Sequence, residues 1–189
     1  MQIIHKTIIE TTPYGPITIV WSLFDEKPKI VRISIPKPAA SANREMAELF
    51  PDIDSASCPE IELICSKIKT YLAGKKIAFS LELARLDTCS VFQNTVLQAT
   101  HVIPHGRVST YDLLAAHLGK PKAARAVGNA LATNPFPILI PCHRVIRSDR
   151  TLGGFHGGLQ MKKALLAKEG VTFDKTGRLT LQNLHYQNS

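Results

Sequence analysis

No apolar run in the 189 residues approaches the roughly 20 that a membrane-spanning helix needs. The opening residues, Met1-Gln2-Ile3-Ile4-His5-Lys6, also lack the long apolar stretch of a secretory signal, so a cytoplasmic location is expected. Cysteine is sparse. Cys58, Cys65, Cys89 and Cys142 form no Cys-x-x-Cys pair and no framework spacing, and without a secretory signal they are expected as reduced thiols. A zinc site is not supported either, because no ligand set clusters around Cys58 and Cys65, and His5 is remote from both. Acidic residues are scarce in one half only. Residues 89–189 carry 12 Lys+Arg against 4 Asp+Glu, whereas residues 1–88 carry 11 of each, so the whole net charge of +8 lies in the second half. Such asymmetry fits a polyanion-binding domain joined to a neutral one. Repeats and low-complexity tracts are absent, and 44% hydrophobic content suffices for one large core or two small ones.

The first half reads as a small α+β unit. Alternating stretches predict strands over 6–11, 17–21 and 29–35, with a turn at Pro13-Tyr14-Gly15-Pro16. A Pro/Ala/Ser hinge is expected over 36–42 and a short helix over 43–50. Ile61, Ile64, Cys65, Ile68, Tyr71 and Leu72 stand at helical spacing over 59–73, closed by Gly74, and Cys65 is read as core. A further strand is expected over 76–83. The domains are placed at 1–86 and 87–175, with a tail over 176–189.

The second half reads as mostly helical. Ser90 caps a helix over 91–102, and Thr110 caps a second over 111–118 that Gly119 stops. A third helix over 122–133 follows after a short connection, a helix-turn-helix spacing. Gly157-Gly158 precedes a last helix over 159–168, closed by Gly170. The third helix is lined with Ala123, Ala124, Ala126, Gly128, Ala130 and Ala132. So thin a helix suits either tight packing in a core, with Arg125 on its solvent face, or the minor groove, only about 6 Å wide, with Arg125 the one side chain able to reach into a base stack.

Chemistry concentrates at Pro141-Cys142-His143-Arg144-Val145. A thiol attacks as its thiolate, and a neighbouring imidazole or cation favours that form. Prolines at 135, 137 and 141 forbid helix, and the apolar stretch 136–140 predicts a short buried strand or extended mount for Cys142.

Taken together, these residues resemble the O6-alkylguanine-DNA alkyltransferases, the methylated-DNA–protein-cysteine methyltransferases. The resemblance runs from about Ser90 to Gly170. It rests on Phe92-Gln93, Ile103-Pro104-His105-Gly106, Tyr111, the stretch Lys122 to Gly128, Asn134-Pro135, the Cys142 motif, and Gly157-Gly158-Leu159 with Leu165 to Gly170. It implies an α+β chain: an N-terminal ribonuclease H-like α/β domain, then a mostly helical, winged helix-turn-helix-like DNA-binding and catalytic domain. Position 155 is Phe where the family often has Tyr, and position 156 is His where a small or hydroxyl residue is common.

By the same resemblance the chain is a single-turnover methyltransferase acting on duplex DNA. The alkylated nucleotide is extruded through the minor groove, because the reacting carbon is unreachable inside the stack. Cys142 accepts the alkyl group from O6-alkylguanine irreversibly, with O4-alkylthymine an open second substrate. His143 is the general base, Glu169 orients it, Tyr111 donates a proton or hydrogen bond to the leaving guanine, and Asn134 is the hinge. Val145, Phe155, His156 and Gly157 bind the base. Arg125 is the finger, and Thr110, Ala123, Ala124, Ala126, Gly128 and Arg144 contact DNA. No cofactor and no metal are implied, and a monomer is expected. Three alternatives differ in testable ways: a lesion binder of the same fold lacks the cysteine, a winged-helix transcription factor needs base-reading side chains on 122–133, and a small-molecule cysteine hydrolase has no use for the basic half.

Overall fold

A computed structural model of the chain describes residues 4–36, 53–180 and 184–187. Most of the expected hinge and the whole expected helix at 43–50 lie outside these residues. The fold has mixed α and β content and divides into two compact units, Met1–Leu86 with Pro135–Leu139, and Asp87–Asn134 with Ile140–Ser189.

In the first unit, β1 (Ile4–Ile9), β2 (Ile17–Phe24), β3 (Lys27–Ser34) and β4 (Asp54–Ser55) form a sheet in the order β3-β2-β1-β4. The first three pair antiparallel, and β4 runs parallel to β1. Asp25 and Glu26, both with positive φ, make the two-residue turn between β2 and β3, the form whose twist matches the strands. Helix α1 (Pro59–Leu72) starts on Pro59, where a missing N–H costs nothing, and buries Ile61, Ile64, Ile68, Tyr71 and Leu72. Cys65, read as core, is half-buried.

Two expectations fail here. No strand forms over 76–83. Only its end reaches β3, where Ile30 N–H donates to Leu83 O (2.6 Å), Arg85 N–H donates to Ile30 O (2.9 Å) and Ala84 makes an isolated bridge. Alternation marks a face that could be buried; it does not supply partner backbone along its whole length. The stretch 136–140 is buried as expected but is likewise no strand. Pro135 and Pro137 lack the N–H a ladder needs, and the chain turns through Ile138 at φ 75°.

The second unit carries α2 (Val91–His101), α3 (Tyr111–His117), α4 (Ala124–Ala132) and α5 (Gly158–Lys168). Ser90 Oγ accepts from Gln93 N–H (3.2 Å) and Thr110 Oγ1 from Leu113 N–H (3.1 Å), so both expected caps are made. Helix α4 starts later than expected, because Ala123 N–H is drawn into a turn on Lys120 O (2.8 Å). Short parallel strands β5 (Ser109–Thr110) and β6 (Val145–Ile146) join the start of α3 to the segment after Cys142. Val108, Ile146, Leu166 and Leu179 form a buried cluster with Leu152, Val171, Phe173 and Leu184 around it. Where described, residues 176–187 pack on this unit: His185 N–H donates to Val108 O (2.7 Å) and Tyr186 Oη to Ala99 O (2.8 Å). Among the described residues no helix is long and apolar enough to cross a membrane.

Candidate active site

Cys142 opens a 3-10 turn, Cys142–Arg144, in which Cys142 N–H donates to Ile140 O and Arg144 N–H to Pro141 O, both at 2.8 Å. Asn134, just past the end of α4, donates its amide to Ile140 O (3.1 Å) and to Cys142 Sγ (3.2 Å). Gln93 of α2 fixes the end of that helix, donating to Thr133 Oγ1 (2.9 Å) and Thr133 O (3.2 Å). Burial pushes the Cys142 thiol up, while the Asn134 hydrogen bond and the Lys162 charge pull the other way. The thiol is therefore the resting form, and attack requires a base.

His143 is fully buried, and burial lowers its pKa against the pull of Glu169, so the ring is neutral. Its Nε2 lies 3.1 Å from Glu169 Oε1. Glu169 is held ionised, well below the usual carboxylate range: burial opposes this, and His143 and Arg144 overcome it. An ionised carboxylate only accepts, so Nε2 carries the proton and Nδ1 of the neutral ring is the basic nitrogen. Glu169 caps α5, where a carboxylate opposes the helix dipole. Arg144 offsets this, donating Nε to Oε2 (2.9 Å) and Nη2 to Oε1 (2.7 Å). Gly106 N–H adds a 3.3 Å bond to Oε2. Gly106 has φ 78°, and a Cβ there would stand 3.0 Å from Glu169 O, so only glycine fits.

A pocket of about 550 Å³ opens beside the cysteine. Cys142 and Tyr111 line it, with Ala124, Arg125, Gly128 and Asn129 of α4 and Phe155 and His156 of the loop before α5. Phe155 meets the His143 ring edge-on at 6.2 Å, so an apolar wall stands where a hydroxyl was expected to be missing.

Several expected contacts fall elsewhere. Arg144, expected on DNA, is only 8% exposed and engages Glu169 and Ile103 O (2.6 Å) instead. Thr110 is buried and its hydroxyl is the α3 cap. Val145 and Gly157 are buried outside the pocket lining. Ala126 is exposed and Ala123 half-buried; neither lines the pocket, and the DNA contact expected of them does not need it to.

Sequence reasoning missed Lys162. It is fully buried, and its Nζ donates to Val145 O (2.6 Å) and Gly154 O (3.1 Å), tying β6 to the pocket loop. Burial lowers its pKa to about 8, against the pull of Cys142. The signal was present: position 162 shares a helical face with Leu165, Leu166 and Glu169. Among the described residues no group of three or more His, Cys, Asp or Glu could hold a metal.

A buried thiol, a neutral imidazole held by a carboxylate and a pocket under a thin helix form a site that could serve a cysteine nucleophile. A family model described as 6-O-methylguanine DNA methyltransferase, DNA binding domain, matches residues 91–171. Methylated-DNA–protein-cysteine methyltransferase of Methanothermobacter thermautotrophicus is 40% identical over 121 residues, 64% of this chain and 68% of that protein. The Haemophilus influenzae protein of the same name is 47% identical over 119 residues, 63% of this chain and 66% of its own length. The crystal structure of Mycobacterium tuberculosis OGT in complex with DNA is similar with a TM-score of 0.68 at 30% identity, covering 87% of this chain and 92% of that one. The chain belongs to the methylated-DNA–protein-cysteine methyltransferase family.

Proposed function

We propose that this protein repairs duplex DNA by moving the alkyl group of O6-alkylguanine, and by extension of O4-alkylthymine, irreversibly onto Cys142. The observation that carries the reading is Cys142 lining a pocket with room for a base, followed in the chain by His143, which Glu169 holds at 3.1 Å. Membership of the family and a DNA complex of a similar protein support DNA as partner.

The nucleotide is extruded through the minor groove, at a cost of a few kcal/mol that a mispaired lesion reduces. Arg125, exposed on the small-residue face of α4, fills the gap, and Ala124 and Gly128 let the backbone approach the sugars. His143 takes the thiol proton at Nδ1 and Glu169 stabilises the imidazolium. The thiolate, favoured by Asn134, attacks the alkyl carbon: the S–C bond forms, the C–O6 bond breaks, and the electron pair leaves with guanine. Tyr111 gives guanine its proton. A second lone pair on the Cys142 carbonyl selects the exocyclic amine, and His156 contacts the base. A thioether has no route back, so each molecule acts once.

The helix-turn-helix reading of α3 and α4, with a wing, is part of this proposal. So is a ribonuclease H-like first domain over 1–86, for which the order β3-β2-β1-β4 with parallel β4 is the support. The catalytic domain over 87–175, a tail from 176, a monomer and a cytoplasmic location complete it. Intact mass after mixing with a duplex holding O6-methylguanine tests the core claim. A gain of one methylene on the Cys142 peptide is expected; an unmodified protein or another modified residue refutes it.

A further inference from the structure

The loop between β6 and α5 brings a cation to the pocket that the reaction above leaves unused, Arg147. Gly153 in that loop has φ 66°, and a Cβ there would stand 3.0 Å from Tyr111 Oη and 3.4 Å from Arg147 Cγ. The Tyr111 hydroxyl and the Arg147 stem therefore border the same space, the one that the missing side chain leaves. The Arg147 backbone is fixed as well: its N–H donates to Thr151 O and its carbonyl accepts from Arg150 N–H, both at 3.0 Å. Ser148 Oγ donates to Asp112 Oδ2, which ties the loop to the first turn of α3 and engages the acid beside Tyr111.

We propose that Arg147 is a positioning residue for proton delivery, its guanidinium stabilising the negative charge that arrives on Tyr111 when guanine leaves. The inference rests on the function proposed above. In that reaction the charge starts on Cys142 Sγ, passes to guanine as the C–O6 bond breaks, and reaches Tyr111 Oη when the phenol gives its proton to the ring nitrogen. His143 holds the thiol proton throughout, and solvent restores the phenol afterwards. Each end of the route has a cation, Lys162 for Cys142 and Arg147 for Tyr111. Burial and the Cys142 charge push the Tyr111 hydroxyl up while Arg147 pulls it down, the direction that makes it a better acid. The other charged groups lining the pocket are Arg125 on α4 and Asp112 on α3.

The test is single-turnover transfer at saturating substrate, from free O6-benzylguanine and from a duplex holding O6-methylguanine. Arg147→Met should slow the chemical step about five- to tenfold on both substrates, the scale of one partly screened charge. Substrate affinity should change little, and Arg147→Lys should recover most of the rate. With Tyr111→Phe already present, Arg147→Met should slow transfer no further. A loss confined to the duplex would make Arg147 a phosphate contact, and an undiminished loss in the Tyr111→Phe background would make it a structural residue; either overturns the inference. A wild-type protein that transfers from neither substrate refutes the proposed function itself, and this inference falls with it.

Discussion

The Arg144 guanidinium lies across the Glu169 carboxylate, Nε 2.9 Å from Oε2 and Nη2 2.7 Å from Oε1, with both side chains buried. Their hydrogen bonds to Ile103 O, Gly106 N–H and His143 Nε2 make the pair the centre of a polar network inside the second unit.

Removing one partner of a buried pair leaves the other uncompensated, which typically costs about 3–5 kcal/mol. Arg144→Ala should therefore lose stability on that scale in urea unfolding. The sign of the pH effect follows from Glu169, whose folded pKa is depressed. Its contribution is present above the unfolded value of about 4.3 and is lost as pH falls toward the folded one. Arg144→Ala should flatten that acid limb. A variant of native stability with weakened DNA binding would return Arg144 to the DNA surface.

Lys162 works in the opposite direction, because its folded pKa is lowered to about 8. The folded state disfavours the charged amine, so stability falls as pH drops from the unfolded value near 10.4, and the penalty is complete below about 8. Its size is roughly 3 kcal/mol. Lys162→Met should remove this alkaline dependence from unfolding curves taken between pH 7 and about 10.4. An unchanged dependence would place the titration elsewhere.

Cys142→Ala and Cys142→Ser should abolish transfer while lesion-duplex binding survives, because the thiol supplies chemistry and the basic surface supplies affinity. Cys58, Cys65 and Cys89 should each be replaceable without loss. Mass spectrometry after exposure to alkylated duplex checks both. Methyl transfer by Cys142→Ala would remove Cys142 as the acceptor.

Arg125→Ala should slow transfer from duplex DNA much more than from free O6-benzylguanine, which needs no flipping. Arg125→Lys should be partly active, since an ammonium cannot stack as a planar guanidinium does. Equal losses on the two substrates would mean that Arg125 supports the pocket rather than filling a gap.

Local features were legible from the chain alone. The Ser90 and Thr110 caps, the Gly119 and Gly170 stops and the small-residue face of α4 depend on neighbours within a few positions, where hydrogen-bond reach and side-chain size decide the outcome. Cys142 and His143 were equally plain as a candidate pair, because they are adjacent in sequence. The strand expected at 76–83 failed for the complementary reason: a ladder needs partner backbone, and β3 meets the chain only around Ala84.

Burial and long-range pairing were decided by the tertiary structure. Arg144 was expected on DNA and Lys162 was not singled out, yet the fold encloses both, because Glu169 waits 25 residues from the first and the Val145 carbonyl 17 from the second. Glu169 by itself resembles a solvated helix end. Only when α5 is packed against the Cys142 turn does its carboxylate meet His143 and Arg144, and only then is the imidazole tautomer set. Sequence thus determined which groups are present and which local shapes carry them. Packing determined which charges lose their water and must find partners, since desolvation depends on residues distant along the chain.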